Sequence, residues 1–365
     1  MIDRNLWKGR RVFVTGHTGF KGAWLVVWLR SMGAEVFGLA LNPPTTPSMF
    51  NEARLDKHLR HTIGDVRDFS VVLNCLQYAS PEVVFHLAAQ SLVPSAYASP
   101  VDTYSTNVMG SVNLFEACRS VDSVKMIINV TTDKCYENNE WCWGYRESDP
   151  LGGYDPYSAS KACADIIGSS FCRSFLSESG VKLHSVRAGN VIGGGDWSHH
   201  RLIPDAIRAF LEGRPVKVKN PGAVRPWQHV LESLSAYILV AQQCLVTPNA
   251  SNFVESWNVG PSSDSNRPVS WLISKIADAW GGGASWEIDE GQYPHEANLL
   301  KLSNEKIGTA LGWEPTWGLE KALVKTVDWY KKVGDKGSAY DSTLADIADF
   351  ERDAKHYFRG EPELG

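Results

Sequence analysis

The sequence predicts an α/β fold: a parallel sheet covered by helices on both faces, with a smaller C-terminal lobe. Three observations carry this. Short apolar runs of strand length alternate with helix-length segments over the first half of the chain. The first strand leads directly into a glycine-rich turn and a helix. Beyond residue 188 the alternation gives way to Gly and Pro, at Gly193-Gly194-Gly195, Pro204, Pro215, Pro221, Pro226 and Pro261.

The elements follow in order. Arg11–Thr15 reads as a buried strand and Phe20–Met32 as a helix of closely spaced apolar residues. Glu35–Leu41 is the next strand, and a short one precedes Gly64. Val83–Leu87 and Met126–Val130 are apolar runs that match strands buried on both faces. Tyr104–Cys118 and Tyr157–Leu176 read as helices, and Lys182–Arg187 closes the series as a strand. A helix over His229–Cys244 and a strand at Ser256–Val259 are expected to return to the main sheet. The predicted division is therefore a dinucleotide-binding domain over 1–187, rejoined by 229–260, and a smaller lobe over 188–228 and 261–365.

Composition narrows the function. The chain has 365 residues, 36 Lys+Arg against 41 Asp+Glu, and a formal charge of −5. That balance gives no electrostatic reason to expect nucleic acid. The longest apolar run, Leu234–Ala241, is far too short to span a bilayer, and the N-terminus lacks a signal-peptide core. Seven cysteines without a CxxC pair argue against a disulfide framework or zinc site and for a reducing, cytoplasmic setting. No metal is expected. Tryptophan is frequent, at 14 residues, which fits core packing or an aromatic pocket for a sugar or base.

The turn after the first strand is Thr15-Gly16-His17-Thr18-Gly19-Phe20-Lys21-Gly22. Gly16 permits the tight turn, Gly19 the approach of backbone to a pyrophosphate, and Gly22 close helix–strand packing. The helix N-terminus then offers free N–H groups to the phosphates. Gly16, His17, Gly19, Phe20 and Gly22 are the candidate cofactor residues of this loop, in a Rossmann-type unit. The second strand ends in Leu41-Asn42-Pro43-Pro44, with no acid to select NAD and no Arg to hold a 2′-phosphate. Asn42 offers a ribose contact, and NAD is favoured. Asp65, followed by Val66, suits an adenine amino group and equally a turn. Leu87-Ala88-Ala89-Gln90 ends the fourth strand, where ligands of such sheets bind.

Tyr157-Ser158-Ala159-Ser160-Lys161 places a phenol and a cation on one helix face. A cation beside a phenol lowers its pKa, and a phenolate removes a proton from a sugar hydroxyl. The fifth strand ends in Thr131-Thr132-Asp133-Lys134. Thr132 suits a substrate oxygen, while Asp133 and Lys134 add an acid and a possible base, or a surface ion pair.

Together these stretches resemble the nucleotide-sugar 4,6-dehydratases of the extended short-chain dehydrogenase/reductases, and among them the CDP-glucose group. The resemblance rests on Thr15–Gly22, Thr132–Asn138, Gly152–Ser158, Val186–Trp197 and Arg225–Val230, which extend over most of the chain. It implies a tightly held NAD, CDP-glucose as substrate, and CDP-4-keto-6-deoxyglucose plus water as products. It implies Tyr157 as the base at the 4-hydroxyl, with Lys161 holding the ribose and tuning Tyr157, and Thr132 on the same oxygen. Asp133 would protonate the departing 6-hydroxyl. The dTDP-glucose enzymes carry Glu where this chain has Lys134, and a lysine must lose its proton to serve as the C5 base.

On the substrate side the resemblance points to Asn190 and Arg225, with Gln90, Ser91 and Trp197. Arg201 and Arg208 suit phosphate or a helix surface. His86 reads as a core histidine, and His295-Glu296 resembles a family pattern without a derivable role. The helices Tyr104–Cys118 and Tyr157–Leu176 resemble those of the family's dimer bundle, so a homodimer or homotetramer is expected. By analogy the product feeds deoxysugars for surface polysaccharide. Three rivals share parts of the pattern: a dehydratase of dTDP-glucose or GDP-mannose, a 4-epimerase, and a non-catalytic NAD-sensing protein.

Overall fold

The computed structural model describes residues 2–247, 254–291, 299–354 and 358–359. His295 and Glu296 lie outside the described residues. Seven parallel strands form one sheet: β1 (Arg11–Thr15), β2 (Glu35–Ala40), β3 (Arg60–Ile63), β4 (Val83–His86), β5 (Met126–Thr132), β6 (Lys182–Ala188) and β7 (Val254–Val259). Their spatial order is β7-β6-β5-β4-β1-β2-β3, so the chain reverses direction between β1 and β4. Ligands of such sheets bind outside the strand ends at that reversal.

The helices used below are α1 (Phe20–Ser31), α2 (Phe69–Ala79), α3 (Pro100–Tyr104), α4 (Gly110–Arg119), α5 (Pro156–Phe171), α6 (Leu202–Leu211), α7 (Val230–Val246), α8 (Val269–Trp280), α9 (Leu319–Gly334) and α10 (Ala339–Asp353), with shorter ones between them. Local chemistry starts several of them. Asp68 accepts from Ser70 and Val71 N–H at the head of α2, and Asp155 from Ser158 N–H at α5, where Pro156 opens the first turn. The helix expected over Tyr104–Cys118 begins at Pro100 and contains a π turn, Ser105–Met109, between α3 and α4. The helix expected over Tyr157–Leu176 also ends in a π turn, Cys172–Leu176.

As expected, α7 and β7 return to the sheet, β7 pairing with β6 from Val254↔Leu183 to Val259↔Ala188. The remaining chain forms small strand pairs: Val191–Ile192 with Gln228–His229, Val216–Val218 with Trp286–Ile288, and Val224–Pro226 with Asn266–Pro268. Helices α8, α9 and α10 join the main core, where α10 packs on α1 and α9 packs against α8 and α10. The reason lies in α1 itself, where Gly22–Leu29 are all buried, so a helix apolar all round needs a second cover. Trp28 donates to Glu351 of α10 (2.8 Å), and Trp24 donates to the carbonyl of Gly194 in the loop after Val191–Ile192 (2.9 Å). No helix among the described residues is long and apolar enough to cross a membrane.

Candidate active site

A cleft of about 870 Å³ opens over the C-terminal strand ends at the reversal point. It falls within the size range of small-molecule sites. Its walls are the glycine turn, the ends of β2, β4 and β5, the first turn of α5, and the lobe around Asn190, Arg201 and Arg225.

The glycine turn leaves room for a ligand only because it lacks side chains. Gly16 has φ +75°, and a Cβ there would lie 2.7 Å from Ala88 N. A Cβ on Gly22 would sit 2.3 Å from the Gly16 carbonyl oxygen. Gly19 heads α1 with no side-chain cap, so the first N–H groups of a 12-residue helix face the cleft. Those features fit a pyrophosphate. Asn42, Val66, Leu87, Ala88, Ala89 and Gln90 continue the same wall. Asp65 lines it too, but accepts from Arg67 through backbone and guanidinium, at 2.8, 2.9 and 2.6 Å. His17 does not face the cleft. It is buried in the core against Phe50 and His61, both ring nitrogens lack a partner, and burial pushes its pKa down to about 3. Its neighbour Gly38 is the physical reason, since a Cβ there would be 2.5 Å from the ring.

The expected catalytic residues come together. Thr132, Asp133, Lys134, Tyr157 and Lys161 all line the cleft. β5 runs two residues past the apolar stretch and so delivers Thr132 to the edge. Thr132 donates to Asp133 Oδ1 (3.0 Å) and accepts from Lys134 N–H (3.3 Å). Asp133 is buried, its Oδ2 has no partner, and burial raises its pKa against the pull of Lys134, Thr132 and Arg225. Burial thus shifts this carboxyl toward the protonated form, the form that can give a proton away.

Tyr157 departs from expectation. Its pKa is raised to about 12, because burial outweighs its hydrogen bond with Thr132. Lys161 does not offset this, since its Nζ donates to the Val130 carbonyl (2.9 Å). Burial, with Lys21 nearby, lowers Lys161 itself to about 8. Tyr157 is therefore a phenol at neutral pH in the chain alone.

On the lobe side, Arg201 spans the cleft mouth, donating to Asp196 (3.1 Å) and to Ser91 Oγ (3.1 Å). Arg225 is buried and Asn190 half-buried, and both line the cleft. Trp197 and Arg208 stand behind the wall. Trp197 donates to Glu52 (2.8 Å), and Arg208 holds the Trp197 and Ser198 carbonyls at 2.9 and 3.2 Å. Gln90 lends backbone to the wall, while its side chain is spent on Leu92 and Thr103. Of the tryptophans only Trp227 lines the cleft; most of the others pack the core.

Sequence reasoning missed Lys21, which lines the cleft and donates to the Tyr237 hydroxyl (3.0 Å). Burial and Arg201 lower its pKa to about 7. Its place inside the glycine turn was the available signal. Among the described residues no cluster of three or more His, Cys, Asp or Glu could hold a metal.

Comparison with known proteins agrees with this geometry. The sequence model of the family described as GDP-mannose 4,6 dehydratase matches residues 13–326. The chain is 52% identical to a CDP-glucose 4,6-dehydratase of Salmonella typhimurium, over 91% of this chain and 93% of that protein. It is 29% identical to a dTDP-glucose 4,6-dehydratase of Xanthomonas campestris pv. campestris, over 87% and 92%. Its fold is similar to that of a dTDP-glucose 4,6-dehydratase from Streptomyces venezuelae solved with NAD bound. The TM-score is 0.75 at 25% identity, covering 90% of this chain and 99% of that one. Fold, cleft and sequence thus converge, and the chain belongs to the GDP-mannose 4,6 dehydratase family, within the extended short-chain dehydrogenase/reductases.

Proposed function

We propose that this protein is an NAD-dependent CDP-glucose 4,6-dehydratase that yields CDP-4-keto-6-deoxyglucose and water. One observation carries the reading. Buried Asp133, whose carboxyl is pushed toward the protonated form, shares one cleft with Tyr157, Thr132 and Lys134. A 4-epimerase needs the tyrosine but no acid for elimination. The 52% identity to the Salmonella enzyme supports cytidine as the nucleotide.

Bound NAD would supply a reversible hydride acceptor, taking hydride from the sugar C4 and giving it back at C6 once water has left, as C5 regains a proton. The glycine turn, the N-terminus of α1, Asn42, Asp65, Val66 and Leu87–Gln90 would hold it. Tyr157 takes the proton of the sugar 4-hydroxyl, and Thr132 orients that oxygen. Lys161 sits one helical turn on from Tyr157 and contributes positive charge to its surroundings. Lys134 removes the C5 proton made acidic by the 4-ketone, and Asp133 protonates the departing 6-hydroxyl. Arg225, Arg201 and Asn190 grip the diphosphate side, where guanidinium forks suit phosphate oxygens.

The same reading includes self-association as a homodimer or homotetramer, through α3, α4 and α5. Val101, Met109, Ile166 and Phe175 there are 80%, 51%, 54% and 44% exposed, apolar surface that a second copy would cover. No disulfide joins the seven cysteines, which supports a cytoplasmic setting. Separate incubations with CDP-glucose and dTDP-glucose, read by mass spectrometry, test the function. Loss of one water from CDP-glucose is the expected result. Loss only from dTDP-glucose overturns the nucleotide, and loss from neither overturns the reaction.

A further inference from the structure

Five buried polar residues near the cleft take no part in the chemistry above, yet hydrogen bonds link them in series, side chain to side chain except where the Ser111 hydroxyl meets the backbone carbonyl of Asn107. Thr15 and Ser160 are 0% exposed, His86 and Asn107 1%, and Ser111 2%. Thr15 Oγ1 accepts from the backbone N–H groups of Leu87 (3.2 Å) and Ala88 (3.1 Å) and contacts His86 Nδ1 (2.8 Å). His86 Nε2 contacts Ser111 Oγ (3.0 Å), which donates to the Asn107 carbonyl (2.6 Å). The Asn107 amide accepts from Gln90 N–H (2.8 Å) and donates to the Gln90 carbonyl (2.9 Å) and to Ser160 Oγ (2.8 Å). Ser160 in turn donates to the Tyr157 carbonyl (2.7 Å).

Only one proton arrangement satisfies all of these contacts. Ser111 spends its hydrogen on Asn107, so His86 Nε2 must be the donor to Ser111. His86 Nδ1 must then accept, and its partner is the Thr15 hydroxyl, whose oxygen takes the two backbone N–H groups. A neutral Nε2–H imidazole completes the chain, and burial keeps His86 neutral. Buried polar groups are costly unless paired, and a fully paired network selects one arrangement of the elements it joins. Here the joined elements are the end of β1, the Leu87–Gln90 wall and the first turn of α5. Asn107 lies inside the π turn Ser105–Met109 of the long helix, a kind of distortion often found at functional sites.

We infer that the Thr15–His86–Ser111–Asn107–Ser160 chain sets the position of Tyr157 against the cofactor-side wall. Ser160, Asn107, Ser111 and His86 are then positioning residues for the proposed reaction. The inference rests on that functional reading only for its kinetic consequence, and its mechanical content is independent.

Ser160→Ala deletes the hydroxyl at one end of the chain, and Ser111→Ala the one at its centre. Each is expected to lower kcat about tenfold while KM for CDP-glucose stays within about twofold, since small misplacements of reacting groups cost turnover. The double variant is expected to be no worse than about twofold below the poorer single, as for residues acting as one unit. Hydrogen exchange read by mass spectrometry supplies the second measurement. Ser160→Ala should speed exchange at Leu87–Gln90 by about tenfold, although its side chain touches none of those amides. Either single variant turning over like wild type overturns the inference. So do losses that multiply, losses that match only a reduced folded fraction by near-ultraviolet circular dichroism, or unchanged exchange at Leu87–Gln90. Wild-type protein that removes no water from CDP-glucose strikes the functional proposal instead, and the exchange measurement then decides the inference alone.

Discussion

At the scale of single residues the decisive contrast is between Asp133 and Lys134, neighbours with different surroundings. Asp133 is buried with an unpartnered oxygen, while Lys134 is half-buried at the cleft surface. Under the proposed mechanism the two act at different stages, so their removal should separate the stages. Lys134→Met is expected to oxidise C4 of CDP-glucose and stop there, with water loss reduced at least about a hundredfold, the scale of a lost general base. Mass spectrometry reads this as a 4-keto sugar nucleotide that retains its 6-hydroxyl. Normal dehydration by this variant would remove Lys134 from the base role. Residue types and spacing already pointed to Thr132, Asp133, Lys134, Tyr157 and Lys161. Their protonation did not follow from spacing. Lys161 lies one turn from Tyr157, yet its ammonium faces the Val130 carbonyl, a choice made by tertiary packing of α5 on β5.

Elements explain which parts of the site were legible. The glycine turn and the strand ends are local features, and each sits where its sequence implied. The lobe was harder because its residues serve the wall from behind. Trp197 and Arg208 look like ligand-binding side chains in sequence, and only the fold reveals that Glu52 and two backbone carbonyls occupy them. The loop at Gly193-Gly194-Gly195 illustrates the coupling. A Cβ on Gly194 would lie 2.1 Å from the Trp329 ring, and one on Gly195 2.7 Å from Met49 Sδ. Trp24 donates to the Gly194 carbonyl on the other side. Gly194→Ala therefore forces the loop off α9 toward the cleft. It is expected to cost about 1–3 kcal/mol of stability, as overpacking does, and to weaken substrate binding. Urea unfolding and KM measure the two effects, and a variant equal to wild type in both would show that the loop has slack.

At the scale of the whole molecule, the core holds three histidines as neutral rings. Burial pushes His17, His86 and His229 each down to about 3 from an ordinary 6.5. Below pH 6.5 the unfolded chain binds protons at these positions that the folded chain refuses. The stability these rings contribute is therefore complete above that pH and is lost as the pH falls, offset in part by Glu232, which burial raises to about 8 so that the folded chain keeps its proton. The slope approaches about 1.4 kcal/mol per pH unit for each ring, or about 4 kcal/mol for the three together. Thermal melting is expected to drop steeply between about pH 6 and pH 5, ahead of most carboxylate titration, and a flat profile there would contradict the neutral assignment. Composition and the β–α alternation already implied one large core. The covering of α1 by α10 was not legible, because nothing local in that helix names its partner.

That covering has a consequence for how the protein is made. Residues Ile2–Asp3 pair with Phe358–Arg359, Arg4 bonds to Glu351 (2.5 and 2.7 Å), and Trp329 forms the seat of the Gly194 loop. A nascent chain carries its cofactor loop from the start of synthesis, but the side of α1 that α10 covers has no partner until α10 emerges. Contacts this distant in sequence form late, and the apolar outer side of α1 stays exposed meanwhile. During translation this helix is the natural place for a chaperone to hold, and the site acquires its final shape only as the last helices arrive.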